Sequence, residues 1–331
     1  MRPFASLRVS ATAVAALAVL AFPATAQTAS WRHGIIEAKS DAGFQVMAMR
    51  GGFAQKLGID IKYAYFQNDV IMLRGLLAGE LDSYEGTPAP ALLAGGRNAG
   101  IKIIGCHWQN VVHSVFARAN FKGPADMKGA TMAISAPNAA PDLIAKAYLA
   151  QNDIPLAAVK FASLGNDPDR YKAVASGVAL ATVISIEFSQ LAAKDGIKLV
   201  ARGSDVMPKY QRLCTMTSDK LIASRREDIV RFLAAQMQGY RFALANRDQE
   251  LAVTREITGI KPDDQRPEFM FAEASNHKTG IDPAMPIVLD KLAWVQGAMV
   301  AAGNLPQAYD LTRVVDPSLR AEALRRAGMA E

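Results

Sequence analysis

Residues 126–152 read DMKGATMAISAPNAAPDLIAKAYLAQN. Thr131 to Ile134 is a short apolar strand, and Ala140 to Gln151 has the length and composition of a helix. Ser135 to Asn138 forms a polar loop between them, with Asn138 placed to cap the helix and Pro141 tolerated in its first turn. A buried strand, a polar loop and a helix, repeated, build α/β layers around mostly parallel sheets. The same unit recurs on both sides. Downstream come strands at Val159–Ser163, Leu180–Ile186 and Ile197–Ala201, with helices at Asp169–Ser176 and Phe188–Ala193. Upstream come strands at Trp31–Ala38, Ile59–Tyr65, Leu81–Tyr84, Ile101–Cys106 and Val111–Ala117, with helices at Ala42–Lys56, Asp69–Ala78 and Ala89–Gly95. From Arg225 onward the pattern is largely helical.

The turn-like segment Asn120 to Lys128, with Gly123-Pro124, marks a crossing between two lobes. The expected division is 27–118 plus 205–331 for lobe 1 and 119–204 for lobe 2. The first 26 residues read as a signal peptide. Arg2 and Arg8 precede the apolar run Val9–Phe22, Pro23 ends it, and Ala24-Thr25-Ala26 suits cleavage after Ala26. The expected destination is the periplasm, without membrane insertion of the mature chain.

Without that segment, 35 basic residues face 31 acidic ones, a scattered excess of 4. Basic runs with interleaved aromatics are lacking, so a nucleic-acid partner is not expected. The two cysteines, Cys106 and Cys214, lie in apolar strand-like segments. They read as buried thiols, although an oxidising compartment permits a disulfide.

Several segments carry a resemblance to a known family. Asp126 to Asn138, continued by Asp142-Leu143, is similar to the "D-L-K-G-K-x-V-x-V-S-x-P-G" segment of periplasmic binding proteins for nitrate, sulfonates, taurine and thiamine-pyrimidine precursors. Asp169 to Ala181 resembles that family's "R-x-x-A-L-x-x-G-x-V-D-A", Gly51 to Ile61 its "G-F-F-x-K-x-G-L-D-V", and Leu77 to Asp82 its "L-x-x-G-x-L-D". Leu180 stands where the family usually has Asp, Asn138 where it has Gly, and Ala139 where it has Ser. The resemblance implies a two-lobed, type II periplasmic binding fold of the Venus-flytrap kind. It also implies a monomeric solute-binding subunit of an ABC importer, with permease and ATPase encoded separately.

In such a fold the ligand sits between the lobes, where the carboxyl ends of parallel strands meet. The strand-end loops here supply Ser40, Asp41, Gln67, Asn68, Thr87, Trp108, Ser135, Asn138 and Glu187 as candidate ligand contacts. Ser40, Asp41 and Asn138 read equally as helix caps, Thr87 as a turn former and Trp108 as core. Asp41, Glu85 and Glu187 together favour a ligand with hydrogen-bond donors or a positive group, and Trp108 favours a ring. The expected ligand is a small polar organic solute bearing an amine, a sulfonate or an aromatic ring. Catalytic residues, metal ligands and a cofactor are not expected. The sequence holds no G-x-S-x-G, H-E-x-x-H, P-loop or dinucleotide fingerprint, and its four histidines are scattered. A ligand-presenting sensor subunit and a secreted enzyme on the same fold are the alternatives.

Overall fold

The computed structural model describes residues 28–36 and 39–330. The signal-peptide reading falls outside them. Among the described residues, ten strands form two five-stranded sheets. The first sheet is built from β1 (Ala29–Ile36), β2 (Ile59–Phe66), β3 (Ser83–Gly86) and β4 (Ile101–Trp108). The second is built from β5 (His113–Ala117), β6 (Thr131–Ile134), β7 (Lys160–Ser163), β8 (Ala181–Ser185) and β9 (Lys198–Arg202). The final strand, β10 (Leu213–Ser218), returns to the first sheet.

The strand orders are β2-β1-β3-β10-β4 and β7-β6-β8-β5-β9. In each sheet three parallel strands are followed by two antiparallel contacts. In each, the fourth strand is the one that has just arrived from the other half. This corrects the placement of Val111–Ala117. That strand pairs with β8 and β9, so by sheet membership the chain crosses at residues 109–112 and not after 118. Two apolar strands separated by four residues look like sheet neighbours, and only long-range pairing shows otherwise. The return passes tightly. A Cβ at Gly203 would lie 1.8 Å from the His113 carbonyl oxygen, so only glycine fits there.

The expected helix over 42–56 is two pieces, Ala42–Arg50 and Phe53–Lys56, because Gly52 takes a left-handed conformation between them. The long helical stretch Asp219–Ala245 packs on Ala42–Arg50 and carries Phe232 and Tyr240 into the first half. Trp31 on β1 is fully buried and stacks on Phe232 with ring centroids 5.4 Å apart. Apolar packing runs without interruption from one half to the other. One cluster joins Trp31 and Phe232 to Tyr171, Ile184 and Phe188, and another joins Tyr84 and Leu92 to Met132 and Leu143.

The thiol expectation is also corrected. Cys106 and Cys214 are directly opposed on antiparallel β4 and β10, with Cα atoms 3.8 Å apart, and form a disulfide. Their separation of 108 residues hides this register in the sequence. In the chain-entropy picture a loop of that size stabilises the fold by roughly 4–5 kcal/mol. The bond staples the last strand before the crossing to the first strand after the return.

Candidate functional site

The carboxyl ends of β1 and β3 face those of β6, β7 and β8, and side chains from both halves meet there. On the first half, Arg212 enters the cleft from the return segment just before β10. It is 4% exposed. Its Nη2 donates to Asp41 Oδ2 at 2.8 Å, and its guanidinium carbon lies 3.8 Å from the Trp108 ring centroid. Its backbone N–H donates to the Trp108 carbonyl at 3.0 Å, so the strand pairing itself sets the two residues together. Arg212 Nε and Nη1, and Trp108 Nε1, are buried without a hydrogen-bond partner among the described residues.

Below them lies Glu85 on β3. It accepts from Tyr240 at 2.9 Å and from Gln45 at 3.2 Å. His107 stacks on Tyr240, with centroids 4.4 Å apart. Burial pushes Glu85 up to about 7 and pushes His107 well below its usual range. His107 is therefore a neutral ring 3.5 Å from the Glu85 carboxyl group, not half of an ion pair.

On the second half, Asp167 opens the helix Asp167–Ala175. Burial alone would raise its pKa, but Lys39, Arg170 and His113 act together to hold it well below the usual carboxylate range. The Lys39–Asp167 ion pair spans the two halves. His113 Nε2 is 3.6 Å from Asp167, and burial pushes this ring down to about 3. Glu187 sits on the short turn Ile186–Phe188. Burial, then the charge of Asp41, pushes it up to about 7, opposed by a hydrogen bond with Ser40 across the cleft. Its Oε2 has no partner among the described residues. A pocket of about 210 Å³ opens at this point, lined by Lys39, Ser40, Asp167, Glu187 and Arg266 among others. A larger depression of about 620 Å³ lies outside it, between Gln190–Lys194 and Thr258–Arg266, and lacks the buried carboxylates.

Four of the sequence candidates thus come together: Ser40, Asp41, Trp108 and Glu187. The others do not join them. Asn68 caps the helix Asp69–Ala78 by accepting from Ile71 N–H at 3.1 Å, and Gln67 is exposed. The Thr87 hydroxyl donates to the buried Asp69 carboxylate. Ser135 is buried at the end of β6, where its carbonyl accepts from Gly165 N–H at 3.2 Å. Asn138 does not cap the next helix. Ala139 holds that position, and Asn138 stands in a left-handed conformation with φ 69°. Asp41 occupies a capping position but makes no capping bond, because its carboxylate is turned to Arg212. The expectation of a positive ligand group thereby loses Asp41, whose charge is already matched. Arg212, Lys39 and Asp167 escaped the sequence reading. The only local signal for Arg212 was a lone cation entering an apolar strand.

The family model described as NMT1/THI5 like matches residues 40–250. The chain belongs to the NMT1/THI5-like family. No curated protein matches it in sequence. Among solved structures, it is similar to the alkanesulfonate-binding protein SsuA from Xanthomonas axonopodis pv. citri bound to MOPS, at 17% identity and a TM-score of 0.70, covering 90% of this chain and 99% of that one. It is similar to the periplasmic nitrate-binding protein NrtA from Synechocystis PCC 6803, at 14% identity and a TM-score of 0.73, covering 91% and 89%. It is also similar to the desulfurization enzyme DSZB, at 15% identity and a TM-score of 0.59, covering 89% and 99%. These likenesses show the fold. This member of the NMT1/THI5-like family has the two-lobed α/β fold of periplasmic solute-binding proteins.

Proposed function

We propose that this protein is the periplasmic substrate-binding subunit of an ABC importer, acting as a monomer with a separately encoded permease and ATPase. One observation carries the reading. Among the described residues, Arg212 Nε and Nη1 and Trp108 Nε1 are buried donors without partners, and Glu187 Oε2 is an unpartnered oxygen on the opposite wall. Each unsatisfied buried polar group costs on the order of 1–3 kcal/mol. A ligand that supplies the missing partners recovers that cost and does so only when both walls are present. Its chemistry follows from the donors and acceptors. The solute is a small polar organic molecule with an anionic or strongly accepting group toward Arg212 and Trp108. Toward Glu187 it presents an N–H or O–H donor. Such a ligand binds the closed arrangement better than the open one and shifts the population toward it. The permease then meets the closed form.

The test is thermal melting of residues 27–331 against sulfonates, aromatic acids, amines, pyrimidines and inorganic anions. A ligand at 100 times its dissociation constant stabilises by about 2.7 kcal/mol. The expected result is a shift with compounds that carry both an acceptor group and a donor, each recovered unchanged. A shift with inorganic anions alone sinks the two-ended ligand. Because a desulfurization enzyme shares the fold, conversion of a bound compound to product would replace the binding role with catalysis.

A further inference from the structure

We propose that Asn138 and Asn304 form a clasp that holds the two halves together before any ligand arrives. Asn138 lies in the loop after β6, in the second half. Its φ of 69° is one that glycine adopts with less strain, so the position does not call for a side chain on conformational grounds. The side chain is nevertheless in use. Asn138 Oδ1 accepts from Asn304 Nδ2 at 2.7 Å, and the same nitrogen lies 3.2 Å from Asp142 Oδ2. Asn304 Oδ1 in turn accepts from Lys146 Nζ at 2.9 Å. Asp142 ties the second-half partners together by pairing with Lys146 at 3.0 Å and accepting from the Asn138 N–H at 2.8 Å.

Asn304 belongs to the other half. It follows the helix Leu289–Ala301, which packs against the first-half helix Pro88–Gly96, and its own N–H is fixed to the Met299 carbonyl at 2.8 Å. Both amide atoms of one residue are thus satisfied across the boundary by three residues of the facing helix and its loop. These groups are half-buried or buried, which limits competition from water. The clasp shares no residue with Arg212, Trp108, Glu187 or the Lys39–Asp167 pair. Its effect is therefore on the resting balance between open and closed forms and not on the choice of ligand. A closed state favoured in advance raises the apparent affinity for any ligand that requires closure.

The inference rests on the lobe movement in the proposed function, but its test needs no ligand. Single-molecule energy transfer between one label on each half gives the closed-to-open ratio of the ligand-free protein. Asn138→Gly keeps the left-handed turn and deletes one side of the clasp. Asn304→Ala deletes the other. Each is expected to lower the ratio by roughly 3- to 10-fold, the worth of one net hydrogen bond. The double variant is expected to fall no further than Asn304→Ala alone, because that change already removes the contact Asn138 makes across the boundary. Unchanged ratios in both variants, or effects that multiply in the double variant, would overturn the clasp. So would a wild-type protein that is fully open without ligand. None of these results depends on which ligand is captured, and a failed ligand panel leaves the clasp standing.

Discussion

Two buried arginines sit beside two buried aspartates on opposite walls of the cleft, and they are used in different ways. Arg170 spends every nitrogen inside the protein. Its Nε donates to the Val183 carbonyl at 3.0 Å, its Nη1 to the Gly165 carbonyl and its Nη2 to Asp167. It locks the helix Asp167–Ala175 to β8 and to the loop after β7. Arg212 spends one nitrogen on Asp41 and leaves two bare above the Trp108 ring. Burial and an acidic partner are common to both, so neither separates an architectural cation from a recognising one. The saturation of the donors does. A fully satisfied guanidinium has nothing left to offer, whereas a half-satisfied one is poised for an acceptor that the described residues do not supply.

The largest expected effect tests the architectural side. Arg170→Met takes a donor from each of two carbonyls and leaves Asp167 with Lys39 as its remaining strong partner among the described residues. Removing one member of a buried pair costs roughly 3–5 kcal/mol, so urea denaturation should show a loss of that order. A loss below about 1 kcal/mol would mean that Arg170 is not the lock described.

The recognising side calls for a paired change, because Arg212→Met alone would strand Asp41. Asp41→Asn with Arg212→Met removes both charges at similar volume. Such replacements are often neutral for stability or better. The expected outcome is a stability within about 1 kcal/mol of wild type. Affinity for the solute found in the melting panel should fall by about 100-fold, equivalent to roughly 2.7 kcal/mol. A double variant that unfolds as easily as Arg170→Met would collapse the distinction between the two arginines.

The contrast also marks what local sequence can reveal. Thr131–Ile134 and Ile101–Cys106 were legible as strands because burial on both faces leaves a short apolar run. Ser40, Asp41, Trp108 and Glu187 were legible as candidates because they follow strand ends. Arg212 was not, since its partner Asp41 is 171 residues away and nothing near it predicts the pair. The register that joins Cys106 to Cys214, and the transfer of β5 to the second sheet, are hidden for the same reason. Asn138 was misplaced as a cap because preference for that role says nothing of a left-handed turn one residue earlier.

Glu187 sharpens the comparison through pH. Its folded pKa of about 7 lies above the ordinary 4.5, so between those values the folded state holds more protons than the unfolded one. Its contribution to stability is therefore present below about 4.5 and is lost as pH rises through about 7. Glu85 and Glu250, both raised to about 7, act in the same direction, while His33 and His113, lowered to about 3, act in the opposite one. The wild-type profile mixes these, so the informative quantity is the difference made by Glu187→Gln. Relative to wild type, the variant should gain roughly 1–3 kcal/mol between pH 5 and pH 8. A constant difference would show that Asp41, Asp167, Lys39 and Arg266 around the carboxyl group leave its pKa near normal.

The smallest expected effect is the most discriminating. Trp108→Phe keeps a ring beneath Arg212 but removes the indole N–H. If Trp108 were only core, losing part of its buried surface would lower stability and leave binding untouched. If its N–H waits for a ligand, the ligand-free protein carries an unpaired buried donor, and removing it relieves a cost of about 1–3 kcal/mol that offsets the lost packing and the weaker cation–π contact. Stability should then stay within about 1 kcal/mol of wild type, while affinity for the solute falls by roughly 3- to 10-fold, the worth of one hydrogen bond. Calorimetry and titration on the same sample read the two quantities independently. Their separation, with binding lost and the fold unmoved, is what a recognising wall predicts and an architectural one forbids.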